Sequence, residues 1–290
     1  MAGTILVLSA NSKVGGEALR LLREAGAEVR AGVRNVAKAS VAGAVTADLD
    51  KPETLEEAMR GVSKVLLATA ADGNQVAQHH AAIEAAKKAG VRHVVRVSVV
   101  GADLASPLRI GRMHAESEKE LEGSGMGWTH LRPQSFMQNL LAMAPMIAQG
   151  QLFGCTGEGK FPLVDARDIA AVAARALLED GHEGKAYEVT GPEALSQGEQ
   201  AAVLSRVLER PVVYIDVPAE AVRGGMMQAG LPEWLASDLT FLFANVVAKG
   251  YASVVSPDVE RVLGRPGIRF EQFARDHKAV FVPASAAGAS

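Results

Sequence analysis

The sequence predicts an α/β protein with a doubly wound parallel sheet, and three observations predict it. Short apolar runs alternate with helical patterns through the first half of the chain. Runs such as residues 5–8 are continuously apolar, as in strands covered on both faces. Gly26, Gly61, Gly90 and Gly123 each follow a helical stretch, where a left-handed residue commonly ends a helix.

Strands are expected at 5–8, 28–33, 44–47, 65–68, 94–99 and 128–131. Helices are expected at 14–25, 52–59, 76–89 and 114–122 between them. The second half is less regular. It predicts helices at 168–178 and 197–208, and strands at 187–190 and 212–217, the latter bounded by Pro211 and Pro218. A mostly helical, Met- and Phe-rich stretch covers 219–250, and helices are expected at 258–263 and 270–280. The architecture is therefore a Rossmann-type domain over 1–155, with segments of 164–190 packing back on it. A smaller C-terminal α+β lobe is expected over 191–282 and a flexible tail of small residues over 283–290.

Composition narrows the function classes. With 290 residues, 48% hydrophobic and 22% charged, the chain can bury a full core without staples. A single cysteine, Cys155, excludes an internal disulfide and a Cys-based metal cluster, and fits a reducing, cytoplasmic setting. The net charge of -3 comes without a basic tract, which argues against nucleic acid and membrane surfaces. No leader pattern is visible, and no segment reaches the roughly 18 apolar residues of a membrane span.

The stretch that carries chemistry runs Ser9-Ala10-Asn11-Ser12-Lys13-Val14-Gly15, between the first strand and the first helix. Helix N–H groups and the helix dipole can there face a pyrophosphate. The dinucleotide fingerprint has three glycines, and the matching places here hold Ser9, Ser12 and Gly15. The loop alone leaves two readings open, a phosphate cradle or a plain strand-to-helix turn. Arg34, directly after the second strand, favours the cradle. An acidic residue at that place binds ribose hydroxyls, whereas an arginine fork suits a 2′-phosphate. NADPH is the expected cofactor, with NADH left open. Asp48, after the third strand, either meets the adenine edge or ends the strand as a turn residue.

Several ordered stretches make the chain resemble the NmrA-like branch of the atypical short-chain dehydrogenases/reductases. They are the loop 9–15, Gly32-Val33-Arg34-Asn35, and the segments 85–95, 97–103, 114–119, 129–133, 136–139, 164–170 and 270–277. The resemblance spans residues 5 to about 280. It implies either an NADPH-dependent reductase of quinones, azo dyes or triphenylmethane dyes, more distantly an isoflavone-reductase-like enzyme, or a non-catalytic NADP(H)-sensing regulator that binds a protein partner.

The residues that could act on a substrate lie at the expected carboxyl edge of the sheet. Ordinary short-chain dehydrogenases use Tyr and Lys four apart, and Tyr187, Tyr214 and Tyr251 all lack that lysine. His114 is the substitute proton donor, and Glu118, four residues on, shares its helix face and could orient or charge the imidazole. The other reading is an exposed polar pair. Ser98 falls near the nicotinamide site, Thr69, Ala70 and Ala71 are small enough for a dinucleotide to lie close, and Pro133, Gln134 and Phe136 could wall the nicotinamide. His79 and His80 have no acidic or Cys partner at ligand spacing, so both are expected at the surface and no metal is expected. Met137, Met143, Met146, Met226, Met227, Trp234, Phe241 and Phe243 are either ordinary core or the lining of an apolar cleft. The expectation is an NADPH-dependent oxidoreductase delivering hydride to a conjugated apolar acceptor (quinone, dye, enone or imine) between the lobes. A monomer or homodimer is expected, and a protein partner only under the regulatory reading.

Overall fold

Six strands and the helices between them are laid down by the first 133 residues. They run β1 (Thr4–Val7), α1 (Lys13–Glu24), β2 (Val29–Val33), β3 (Ala44–Thr46), α2 (Pro52–Ala58) and β4 (Val62–Leu67), then α3 (Gln75–Ala89), β5 (His93–Val97), α4 (Arg109–Glu122) and β6 (Gly127–Pro133). The chain continues through α5 (Ala144–Ile147), β7 (Gln151–Gly154), β8 (Lys160–Phe161), α6 (Ala166–Leu178), β9 (Lys185–Val189), β10 (Leu195–Ser196), α7 (Gln197–Leu208) and β11 (Val213–Asp216). It ends with α8 (Ala219–Gln228), α9 (Glu233–Phe241), α10 (Asp258–Leu263) and α11 (Phe270–Asp276). This is a computed structural model that describes residues 3–282. The expected tail, 283–290, lies outside the described residues.

Seven strands form one parallel sheet in the order β3-β2-β1-β4-β5-β6-β9. The order reverses between β1 and β4, which makes a topological switch point at the carboxyl ends of those two strands. One face is covered by α2, α3 and α4, whose apolar residues meet Leu6, Leu8, Val65, Leu67 and Val94. Helices α1 and α6 pack on each other, and α10 packs on α6 and β9. Coverage on both faces explains why Leu6, Val7, Leu66 and Val95 are wholly buried neighbours in sequence patterns without alternation.

Backbone contacts divide the chain into two units. The first runs to Pro133 and adds Ala166–Val189 and Asp258–Gly264. The second takes Gln134–Asp165, Thr190–Pro257 and the chain from Arg265. The boundary expected at residue 155 therefore falls inside the second unit, because the chain leaves the parallel sheet once β6 ends at Pro133. The helix expected from His114 begins at Arg109.

The second unit has a core of its own, built on Met137, Leu140, Ile147, Leu152, Phe161, Leu204, Phe270, Phe273 and Phe281. Its two small sheets pair β7 with β11 in parallel and β8 with β10 antiparallel. Helix α7 starts with a full capping box, in which Ser196 and Glu199 each satisfy the other's backbone N–H. Met137 is core here, whereas Met227 and Phe241 stay exposed. No helix among the described residues is long and apolar enough to cross a membrane.

Candidate functional site

The loop after β1 is held from both sides. Leu8 N–H donates to Leu66 O on β4 (2.9 Å), and Ala10 N–H donates to Gly32 O on β2 (3.0 Å). Ser9 then turns the chain with φ at +55°, and only Glu209 shares that conformation among described residues other than glycine. A glycine would take this conformation without strain. Ser9 O accepts Ser12 N–H (2.8 Å). Ser12 caps α1, its hydroxyl accepting Gly15 N–H (3.0 Å). Gly15 retains the packing role of the last fingerprint glycine, since a Cβ there would lie 2.4 Å from Ser9 O. The loop keeps the shape of a phosphate cradle with two of its glycines replaced. A dinucleotide pyrophosphate fits the chemistry of this turn, which opens on a helix N-terminus with no acidic residue in its first turn.

Around the adenosine end, Arg34 projects into solvent with three quarters of its side chain exposed, 4.0 Å from Asp48 Oδ1. Asp48 itself serves the turn after β3. Its N–H donates to Thr54 Oγ1 (2.9 Å) and its carboxylate accepts Asp50 N–H (3.2 Å). Asn11 Oδ1 accepts from both the N–H and the hydroxyl of Ser40 (3.3 and 3.1 Å), which ties the segment after β2 to the phosphate loop.

Beneath the carboxyl ends of β4 and β5 lies a polar layer that the sequence reading missed. Arg96 is wholly buried on β5. Its Nε donates to His79 Nδ1 (3.2 Å), and its Nη2 meets His114 Nδ1 at 3.0 Å. Gln75 stands 3.0 Å from His114 Nε2, and His79 Nε2 is 2.8 Å from Thr69 Oγ1. The expected surface position holds for His80 and fails for His79, which is fully buried. The cause is helical phase, because His79 shares the inward face of α3 with Gln75, Ala82, Ile83 and Ala86. Burial first, and then the charge of Arg96, push both His79 and His114 well below the ordinary imidazole range. Burial also lowers the Arg96 guanidinium to about 10.

The expected pairing of Glu118 with His114 is replaced by another. Arg132 on β6 takes Glu118 with two parallel bonds, Nε to Oε1 (3.0 Å) and Nη2 to Oε2 (2.5 Å). Burial is the largest single influence on Glu118 and opposes its charge, but Arg132, Ser98 and His130 together outweigh it and hold the carboxyl below its usual range. Ser98 Oγ is buried without a hydrogen bond of regular geometry, yet stands close enough to Glu118 to favour its charged form. His130 stacks on Trp128 and is driven down to about 4, chiefly by burial. Glu118, Glu122 and His130 bring ligand-type atoms within 4.8 Å of one another. Both Glu118 oxygens already face the Arg132 guanidinium, whose charge opposes a cation there.

The other expected residues divide by unit. Ala70 and Ala71 are exposed beside Thr69, and Pro133 O accepts Val100 N–H (3.0 Å) at the end of β6. Gln134 and Phe136 belong to the second unit, where Phe136 bridges to Val164.

A seven-stranded sheet in this order, with a helix-capped loop at its switch point, defines a dinucleotide-binding α/β protein. The chain belongs to the NmrA-like family, whose model matches residues 1–262. It is 44% identical over 283 residues to NAD(P)H azoreductase of Xenophilus azovorans, covering 96% of this chain and 99% of that protein. Among solved structures it is similar to the NADPH-dependent quinone oxidoreductase of Escherichia coli complexed with NADPH. That match has 31% identity and a TM-score of 0.84, covering 94% of this chain and 99% of that one. The Citrobacter sp. triphenylmethane reductase complexed with NADP(H) matches with 26% identity and a TM-score of 0.83, covering 95% and 99%.

Proposed function

We infer that this protein is an NADPH-dependent oxidoreductase that reduces conjugated apolar acceptors, quinones and azo or triphenylmethane dyes first among them. The observation that carries the reading is the intact shape of the phosphate loop at the switch point. Likeness to named reductases over nearly the whole chain supports it. Bound NADPH supplies the hydride.

The chain's own part is to bind and orient. The segment Ser9, Ala10, Asn11, Ser12, Lys13, Val14 and Gly15 presents the start of α1 to the pyrophosphate. Arg34, exposed and weakly engaged, is the contact for the 2′-phosphate. Thr69, Ala70 and Ala71 let the dinucleotide approach the sheet edge, and Ser98 with Pro133 lies on the nicotinamide side. Gln134 and Phe136, next in the chain, are assigned to that side by sequence position. His114 is recast. Its ring nitrogens face Arg96 and Gln75, so it stiffens the layer under β5, and solvent protonates the product. Glu118 serves with Arg132 in the same way. The protein is read as cytoplasmic, a monomer or homodimer, acting on small apolar or aromatic substrates.

Calorimetric titration with NADPH and NADH, followed by NADPH oxidation with a quinone and an azo dye, tests this. NADPH binding about tenfold or more tighter than NADH, with turnover, is the expected result. Stoichiometric binding without turnover, and cofactor-dependent capture of a protein partner, would favour the regulatory reading instead. No binding of either cofactor would end both.

A further inference from the structure

Arg96 is a buried cation with an unusual set of neighbours. Among the described residues no carboxylate forms an ion pair with it, and two imidazoles face its donors, His79 at 3.2 Å and His114 at 3.0 Å. A guanidinium has only donors and cannot accept. Both imidazoles must therefore accept through Nδ1. Both are neutral, because burial and Arg96 lower them well below the ordinary range. A neutral imidazole that accepts at Nδ1 carries its proton on Nε2.

The tautomer fixed in this way has a consequence on each side. For His114, Nε2–H needs an acceptor, and the nearest group is the Gln75 amide, whose Oε1 is otherwise buried without a partner. Turning that amide over puts Oε1 on His114 Nε2, which gives both that N–H and Oε1 a partner and moves the amide nitrogen to the place Oε1 held. For His79, Nε2–H stands 2.8 Å from Thr69 Oγ1, so the hydroxyl accepts there. The Thr69 hydroxyl then has its own hydrogen left to donate, and within the described residues it donates none. Thr69 is partly exposed just past β4, beside the strand that leads into the phosphate loop.

We propose that Arg96 is a positioning residue that, through His79, fixes the Thr69 hydroxyl as a donor to an oxygen of the bound dinucleotide. The proposal rests on the dinucleotide reading above. A residue with no exposed surface thereby sets part of the affinity at the sheet edge, and it does so by direction alone. Every bond in the row Arg96, His79, Thr69 points the same way, outward, and only an acceptor can complete it.

The test begins with the unaltered protein, by ¹⁵N NMR of the histidine rings near pH 7.5. His79 is expected to show a protonated Nε2 and a bare Nδ1. A protonated Nδ1 overturns the proposal. Calorimetry with NADPH then compares four variants. Thr69→Val is expected to weaken binding roughly three- to tenfold, the worth of one hydrogen bond, while Thr69→Ser stays near the unaltered protein. Arg96→Met is expected to weaken binding to a similar degree. The double variant is expected to bind no more weakly than Thr69→Val alone, since both changes cut one relay. At saturating NADPH, kcat should hold within about twofold, so the loss falls on KM for NADPH. Additive effects, or unchanged affinity in Thr69→Val, overturn the proposal and leave the dinucleotide reading standing. Absence of NADPH binding by the unaltered protein overturns both. Where Arg96→Met does not fold, the tautomer measurement and the two Thr69 variants still decide.

Discussion

The loop after β1 and the layer beneath β5 and β6 serve one sheet and are built in contrasting ways. From Ser9 to Gly15 the loop contains no imidazole and no carboxylate, and its shape is set by backbone bonds, a capping hydroxyl and one glycine. The layer is a set of ionisable side chains, Arg96, His79, His114, Glu118, Arg132 and His130, nearly all of them out of water. The contrast teaches that one sheet edge can be sensitive to volume in one place and to protons in another. The loop tolerates changes of pH and should not tolerate a methyl group, whereas the layer should respond to pH.

Acid gives the largest expected effect. His79, His114 and His130 are held neutral in the folded protein and would each bind a proton on unfolding below about pH 6.5. Their contribution to stability is complete above that pH and is lost as pH falls toward the folded values, about 4 for His130. The slope approaches roughly 1.4 kcal/mol per pH unit for each group, so about 4 kcal/mol per unit for the three. Urea unfolding at pH 8, 6.5 and 5.5 measures it, and a flat profile would break the comparison at the layer. Next comes Gly15→Val, whose Cβ must displace Ser9 O. It is expected to cost about 2–3 kcal/mol and most of the NADPH affinity at every pH, read by calorimetry. Arg34→Ala should weaken NADPH about tenfold and leave NADH nearly unchanged, which sharpens the assignment of the loop's adenosine side. The smallest effect belongs to Ser9→Gly. Relief of the left-handed serine should add about 1 kcal/mol of stability without loss of NADPH affinity, as a thermal melt would show.

Much of the sheet was legible because its strands are apolar on both faces and its helices end on glycines. Helix α10, Asp258–Leu263, follows its apolar pattern to the residue. The second unit was harder to read. Strands β8 and β10 have two residues each, too few for any period to register. The loop was legible as a motif, and Ser9, standing where the fingerprint has a glycine, does adopt a conformation that glycine prefers. Arg96 was overlooked although a signal existed. An arginine inside Val94-Val95-Arg96-Val97, in a strand covered on both faces, has nowhere to go but inward. Its helical partner was legible on the same terms, since His79 repeats with Ala82, Ile83 and Ala86 on one face of α3. The Glu118 and His114 spacing was real, but a helix face says nothing about the strand beneath it, and that strand supplied Arg132.

The order in which the first unit collects its parts bears on how the protein is made. Its sheet gains β9 only from residue 185 and its last helix only at Asp258–Leu263. On a ribosome, β6 is therefore an open edge while more than fifty further residues are synthesised. Such an edge can pair with another nascent chain before its own partner arrives. Fragments cut after β6 should expose the same edge and associate, so the first unit has to be expressed with its distant segments rather than as residues 1–133 alone.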